Sequence, residues 1–508
     1  MLIFAPVRQA ILIAFALAAS LLIAQQAHAQ TSINISGHVK DGNSAPLSDV
    51  TITVQSSAPT ATTNTDSSGN YSFTNVPAGP GTTVTVTASR PGYLFSPRRY
   101  EYQHERDNKI ANFTGGQPTP VSAGDVLISE FRTRGPNGEQ DEFVELYNNT
   151  DHPITVQAPD GSGGWTITSL TSDGSSVTVP FTINDGTTLP PRGHYLGASS
   201  PFFIGGYGLT NYAVPDNLLG AVGGGLADFT GIALFKTATP ANRTLANRLD
   251  AVGFTGPTGP LADLHREGVG LTPADSSNQS SFVRRMLTGL VQDTNDNASD
   301  FVFVTTGLNR PLLGAPGPEN LSSPLQRNAQ IKASLIDPQS LSSASPNRVR
   351  NSTPVTNGQF GTLKIRRRFT NLTNGTINRL RFRVVDITNR NSPNPGGTQA
   401  DLRVVPSTTA DFNVTLSDGL TVVPVKGTQV EQAGGQLAQP NGGGLNSSIV
   451  TISMATPLPV GEAVNIEFNL GVQQNGLFRF FVNVEALSSA PTSTGATSKL
   501  TLKKARAK

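Results

Sequence analysis

The sequence predicts an all-β protein of three tandem β-sandwich domains following a signal peptide. Three observations carry that reading. Gly (51) and Pro (36) are abundant while only 14% of residues are charged, which favours many short strands joined by turns over long helices. Strand-length runs with period-two alternation recur along the chain, each bounded by Gly, Pro, Asn or Asp turn chemistry. At 508 residues the chain exceeds what one hydrophobic core serves, so about three domains are expected.

The N-terminus comes first. Arg8 precedes the apolar run AILIAFALAASLLIA, and Ala27-His28-Ala29 presents small residues where a signal peptidase reads. Residues 1–29 are therefore expected to be removed by cleavage between Ala29 and Gln30, leaving an exported chain, secreted or at the cell surface. The run is short for a membrane span, and no second one follows it, so no span is expected in the mature chain. The absence of Cys means that these domains must hold without disulfides, which favours sandwiches of ordinary size. A formal net charge of +2 leaves no electrostatic footprint for nucleic acid, and the basic tail at 503–508 is too short to supply one.

Residues 31–115 read as short strands at 32–40, 49–56, 61–65, 70–76, 82–89 and 108–114, with turns at DGN, DSSGN, PAGPG and RPGY. Val50, Ile52 and Val54 alternate with Thr51 and Thr53, one face for a core and one for water. The order of these runs, with TDSSGNYSF at 65–73, resembles the carboxypeptidase regulatory-like family, related to Cna B-type and transthyretin-like sandwiches. The resemblance implies a non-catalytic accessory module, some relatives of which bind carbohydrate, with Gly69 in a hairpin and Tyr71 and Phe73 in the core. Related pilin modules form a Lys–Asn isopeptide bond. Lys40, Asn112 and Glu101 or Glu105 would be the residues here, but Lys40 adjoins a turn, where nothing lowers an amine's pKa, and it reads as a surface lysine.

A Gly/Pro-rich stretch at 116–123 reads as a linker. Residues 124–305 open with two alternating strands, at 126–131 and 142–147, around GPNG, a hairpin with a long loop. The motifs ISEF, DEFVELYN, GGWTIT, GIALF, LDAVGF, SFVRR and DTNDNASDF, in that order, resemble the lamin-tail domain, an immunoglobulin-like sandwich. That implies interaction or scaffolding, with residues 171–225 as a large insertion. Symmetric pairing about GPNG would put Glu130 and Glu145 on neighbouring diagonal positions, about 7–8 Å apart, which overlaps the roughly 6.5–9.5 Å used by inverting glycosidases. A flat hairpin supplies neither a cleft nor sugar platforms. Structural ion pairing among Glu130, Glu145, Arg132 and Arg134 is the expectation, with a divalent cation as the alternative.

A Pro/Gly-rich stretch at 306–324 reads as a second linker, and 325–502 as a further sandwich of unassigned family. Leu380, Phe382 and Val384 there alternate with Arg379, Arg381 and Arg383, which suggests an arginine-bearing outer face that discourages edge pairing. Arg366, Arg367 and Arg368 add to that basic concentration.

Signals for chemistry are few. There is no Cys and no Gly-x-Ser-x-Gly elbow, and the histidines are scattered. His104-Glu105 opens like a zinc-protease motif without its second His. Asp293, Asn295 and Asn297 follow calcium-loop order, with Asp300 nearby, but Ala298 stands where the turn wants Gly and Val304 where Glu would close the site. No catalytic residue, cofactor or metal is expected, and those four residues are the calcium candidates. The chain reads as a non-catalytic adhesive, scaffolding or structural protein, with an unknown extracellular protein or glycan as partner. The alternatives are carbohydrate binding through 31–115 and an accessory module of an extracellular enzyme system.

Overall fold

The alternation at 50–54 becomes strand Thr51–Gln55, with Ile52 and Val54 buried and its threonines half-buried. A computed structural model describes residues 32–488 except 80, 91, 104–106, 118–119, 137, 200–212, 221–224, 275–278, 288–289, 308–311, 390–398, 432–441 and 453–456. The expected signal peptide with Ala29 and Gln30, the tail at 503–508, and His104 and Glu105 lie outside the described residues. The chain is almost entirely β. It divides into two compact units, residues 1–119 and 120–508.

In the first unit, strands Asn70–Pro77, Ser32–Asp41, Phe113–Gly116 and Leu94–Ser96 form one sheet in that order, and Lys109–Ile110 also pairs with Ser32–Asp41. Strands Ala61–Asn64, Thr51–Gln55, Thr83–Ser89 and Arg99–Gln103 form the other. The two share a core that includes Ile35, Ile52, Val86, Tyr71 and Phe73. Gly69 takes the left-handed conformation (φ 77°) that closes the hairpin, and Asp66 Oδ1 accepts the N–H groups of Ser68 and Asn70 within it. The Tyr71 hydroxyl, buried with its ring, donates to the Ala111 carbonyl.

The second unit starts with a six-stranded sheet in the order Asn217–Leu218, His194–Ala198, Phe143–Asn148, Val126–Arg132, Ser280–Arg284 and Phe301–Thr305. It shares a core with the sheet Val177–Asn184, Gly164–Leu170, Gly231–Phe235 and Arg248–Gly253. The stretch 171–225, expected as an insertion, supplies strands to both sheets. An eleven-stranded sheet follows, with its own core around Phe369, Phe382 and Phe468.

Two expectations change here. No unit boundary falls at 306–324: Leu313, Ala315 and Glu319 are buried, and bridges from Leu313 to Thr305 and from Gly314 to Leu445 tie the middle of the segment to residues before and after it in the chain. The arginine stripe is an outer face only in part: Arg368 and Arg379 are exposed, but Arg381 and Arg383 are not. Strand Ile377–Ile387 is internal, paired on one side with Phe480–Ser488 and on the other with Ser448–Thr451. Arg381 and Arg383 are only 7% and 4% exposed, because the first half of this unit covers their face.

Candidate functional site

The acidic hairpin lies under that arginine face. Strands Val126–Arg132 and Phe143–Asn148 pair antiparallel, and a register shift between Ile128 and Glu130 sets Glu130 directly opposite Glu145 rather than diagonal to it. One extra residue on one strand is what moves the pairing. Val144 and Leu146 enter the main core, which leaves Glu145 on the opposite face, flanked by Phe143 and Tyr147. Both glutamates are almost fully buried.

Buried carboxylates need partners, and these come from far along the chain. Glu130 accepts hydrogen bonds from the Ser281 hydroxyl (2.6 Å), the Gly317 N–H (3.0 Å) and Asn446 Nδ2 (3.0 Å). Glu145 accepts from the Ser129 hydroxyl (2.5 Å) and the Glu319 N–H (2.6 Å). His194 lies between Glu145 and Glu319, with Nδ1 3.0 Å from one carboxylate and Nε2 2.9 Å from the other. Arg383 reaches Glu319 (2.6 Å), Glu485 (3.1 Å) and Asn446 Oδ1 (3.0 Å). Arg381 pairs with Glu485 (2.6 Å) and with Glu319.

Charge and burial oppose each other throughout. Burial and then the Glu145 charge push the Glu130 carboxyl up to about 7. Burial also disfavours the Glu485 carboxylate, but Arg381 and Arg383 outweigh it and hold Glu485 below the usual carboxylate range. The space left among Glu130, Glu145, His194 and Arg383 is about 10 Å³, at the lower limit for one water. The acids and arginines are thus joined in a closed network that clasps the segment 314–319 and binds the two halves of this unit together. Among the described residues, that space beside Glu130 and Glu145 is too small for a substrate.

Arg132 and Arg134 take other partners than the two central glutamates. Arg132 donates to the Asp141 carbonyl (2.7 Å) and Gln279 (2.7 Å), with Asp141 Oδ1 at 3.9 Å. Arg134 pairs with Asp228 (2.7 Å) and Glu139 (3.7 Å). Arg132 ends strand Val126–Arg132, two residues past Glu130, and Arg134 lies in the loop beyond it. Glu142 turns inward instead and accepts the Leu226 N–H at 2.9 Å. Burial pushes its carboxyl up to about 8, against that stabilising N–H. Because the folded value is raised, the fold binds the protonated form better, and Glu142 costs stability as pH rises from the unfolded carboxylate range through about 8. Glu142→Gln, which keeps the acceptor, is expected to match wild type at pH 4 and to exceed it by on the order of 1–3 kcal/mol at pH 8, read by urea unfolding at both pH values.

Of the calcium candidates, Asn297 and Asp300 serve the backbone. Asn297 Oδ1 accepts the N–H groups of Gly253 and Glu267, and its Nδ2 donates to the Ala251 carbonyl. Asp300 accepts from the Thr294 N–H and hydroxyl. Asn295 is exposed with φ 56°, a left-handed position that Asn tolerates. Asp293 alone faces other acids, Asp250 and Glu267. In the first unit Lys40 is exposed, Asn112 Oδ1 accepts the His38 N–H, and Glu101 pairs with Arg99, with no buried amine among them.

His194, Glu319 and Glu485 were not singled out in the sequence. Glu485 carried a signal: Asn483 and Glu485 alternate with Val482, Val484 and Ala486, and Glu485 stands opposite Arg381 in the register. An acid in an apolar strand of the same domain as an arginine stripe was the missing half of a pair.

Fold and site together describe a β-sandwich protein with a cluster of buried ionisable groups that pair with one another. Residues 34–114 match the carboxypeptidase regulatory-like domain. Chitinase ChiA of Flavobacterium johnsoniae is 39% identical over 108 residues, 21% of this chain and 7% of the chitinase. A DUF4876 family protein of Bacteroides thetaiotaomicron overlaps 56% of this chain and 99% of its own at 14% identity, with a TM-score of 0.25. A streptococcal ancillary pilin overlaps 57% and 63% at 12% identity, with a TM-score of 0.16. Scores this low support no shared fold. Among the described residues no helix is long and apolar enough to cross a membrane.

Proposed function

We propose that the chain is an exported, non-catalytic scaffold in which a carboxypeptidase regulatory-like module precedes a two-sandwich body, with residues 124–305 a lamin-tail-like sandwich and 325–502 the second. Cleavage after Ala29 would release it to the cell exterior. The observation that supports this reading is the closed network: the paired carboxylates that resemble a glycosidase dyad are buried and engaged by Ser281, Gly317, Asn446, Ser129 and Glu319. A hydrolase needs a cleft at such a pair. The 108-residue likeness to a chitinase favours a second reading, an accessory module that brings an extracellular enzyme to an insoluble glycan. The test uses the purified chain from residue 30 onward, with chitin-type and other β-linked oligosaccharides as substrates and insoluble chitin as a binding matrix. No turnover above the buffer blank is expected. Turnover abolished by Glu145→Gln would refute the scaffold; retention on chitin, without turnover, would select the accessory role.

A further inference from the structure

A second acidic cluster lies apart from the charge network. Asp250 on strand Arg248–Gly253, Glu267 in the loop that follows, and Asp293 each offer a carboxylate oxygen within 4.8 Å of the others. Asn297 fixes two of the three, since its side chain bonds the backbone of Ala251, Gly253 and Glu267. Four carboxylates, Asp250, Glu267, Asp293 and Asp300, form direct ion pairs with two guanidiniums. Arg284 lies 2.6 Å from Asp250, 3.4 Å from Asp293 and 3.5 Å from Asp300, and Arg248 lies 3.1 Å from Glu267 Oε1. With all four ionised, they outnumber the guanidiniums by two.

The second observation is the other oxygen of Glu267. Its side chain is 6% exposed, yet among the described residues no N–H or hydroxyl reaches the buried Oε2, and the group that the carboxyl meets is another acid, Asp250, a costly arrangement for two carboxylates. Access is provided at Asp293, whose side chain is 20% exposed. Gly124 borders it, and a Cβ there would lie 3.2 Å from Asp293 Oδ2.

We propose that Asp250, Glu267 and Asp293 bind one calcium ion. All-oxygen ligands select a hard cation, and three carboxylates completed by water suit the six to eight flexible ligands of calcium better than the strict octahedron of magnesium. The charge of the ion equals the excess of the cluster. This departs from the sequence expectation that no metal is held. Only Asp293 of the three was visible there, because Asp250 and Glu267 come from other parts of the chain.

The test is calcium binding by the full chain after chelator treatment, measured by equilibrium dialysis with elemental analysis, together with thermal unfolding followed by Trp165 fluorescence. About one calcium per chain is expected, with a rise in Tm of about 2–4 °C that EDTA reverses. Asp293→Asn should weaken binding at least tenfold, and the near-isosteric Glu267→Gln should do the same, so that misfolding of one variant leaves the other to decide. Asp173→Asn, in an exposed turn, should bind as wild type does. Absence of bound calcium at about 1 mM free ion, or both site variants binding as wild type, would overturn the proposal. So would a Tm that ignores calcium but rises on Glu267→Gln, since a proton would then be the neutralising group.

Discussion

Arg383→Ala is expected to destabilise the 120–508 unit by about 3–5 kcal/mol, the cost of orphaning buried charges. Arg383 holds Glu319, Glu485 and Asn446 at once, and without it Arg381 would be the one guanidinium among the described residues that pairs with Glu319 and Glu485. The lone Trp165, 1% exposed in the core of this unit, reports on it selectively in urea unfolding. Arg134→Ala is the comparator. Its side chain is 43% exposed beside Asp228 and Glu139, and the loss should stay within about 1 kcal/mol. Arg383→Lys keeps the charge but not the planar fork, and an intermediate loss is expected. The pH dependence has a defined sign. Glu485 is held below its usual range by Arg381 and Arg383, so its stabilisation is present above the unfolded carboxylate value and is lost as pH falls through the folded one. The deficit of Arg383→Ala should therefore shrink in acid. A deficit no larger than that of Arg134→Ala would remove the network from any account of how the two halves are joined.

Local chemistry was legible in the sequence where one segment suffices to specify it. Gly69, Tyr71 and Phe73 lie within nine residues, 65–73, and the family resemblance carried by that one stretch implies the hairpin and the two inward side chains. The hairpin at 126–148 was legible for the same reason. Glu130 and Glu145 were recognised as unusual, and so were Arg381 and Arg383, but about 240 residues separate the two groups. Nothing in strand periodicity distinguishes a polar face turned to water from one turned to a complementary polar face. That ambiguity sent the arginines to solvent and the glutamates to Arg132 and Arg134. The Pro/Gly composition of 306–324 misled in a similar way: it specifies an irregular backbone, and irregular backbone is what threads Gly317 and Glu319 N–H groups onto Glu130 and Glu145.

Phe131→Ala is expected to cost a comparable amount, about 3–5 kcal/mol, through a different physical cause. Phe131 follows Glu130 in the strand, so period-two geometry turns it to the other face, where it is fully buried. Its ring stacks on Phe282 at 5.3 Å and meets the edges of Phe301 and Phe254 at 5.7 and 6.2 Å, a site with rigid neighbours that close poorly over a cavity. No titratable group contributes to that packing, so the deficit should stay flat between about pH 7 and about pH 3, a span that includes the window below the unfolded carboxylate value in which that of Arg383→Ala changes. Urea unfolding of both variants at the two pH values, read again by Trp165, separates the faces of one strand. A Phe131→Ala loss below about 2 kcal/mol would mean that the pocket collapses onto itself. A loss that tracks pH would mean that the hydrophobic face and the charged face are coupled through the backbone they share, and the network would then owe part of its geometry to the core behind it.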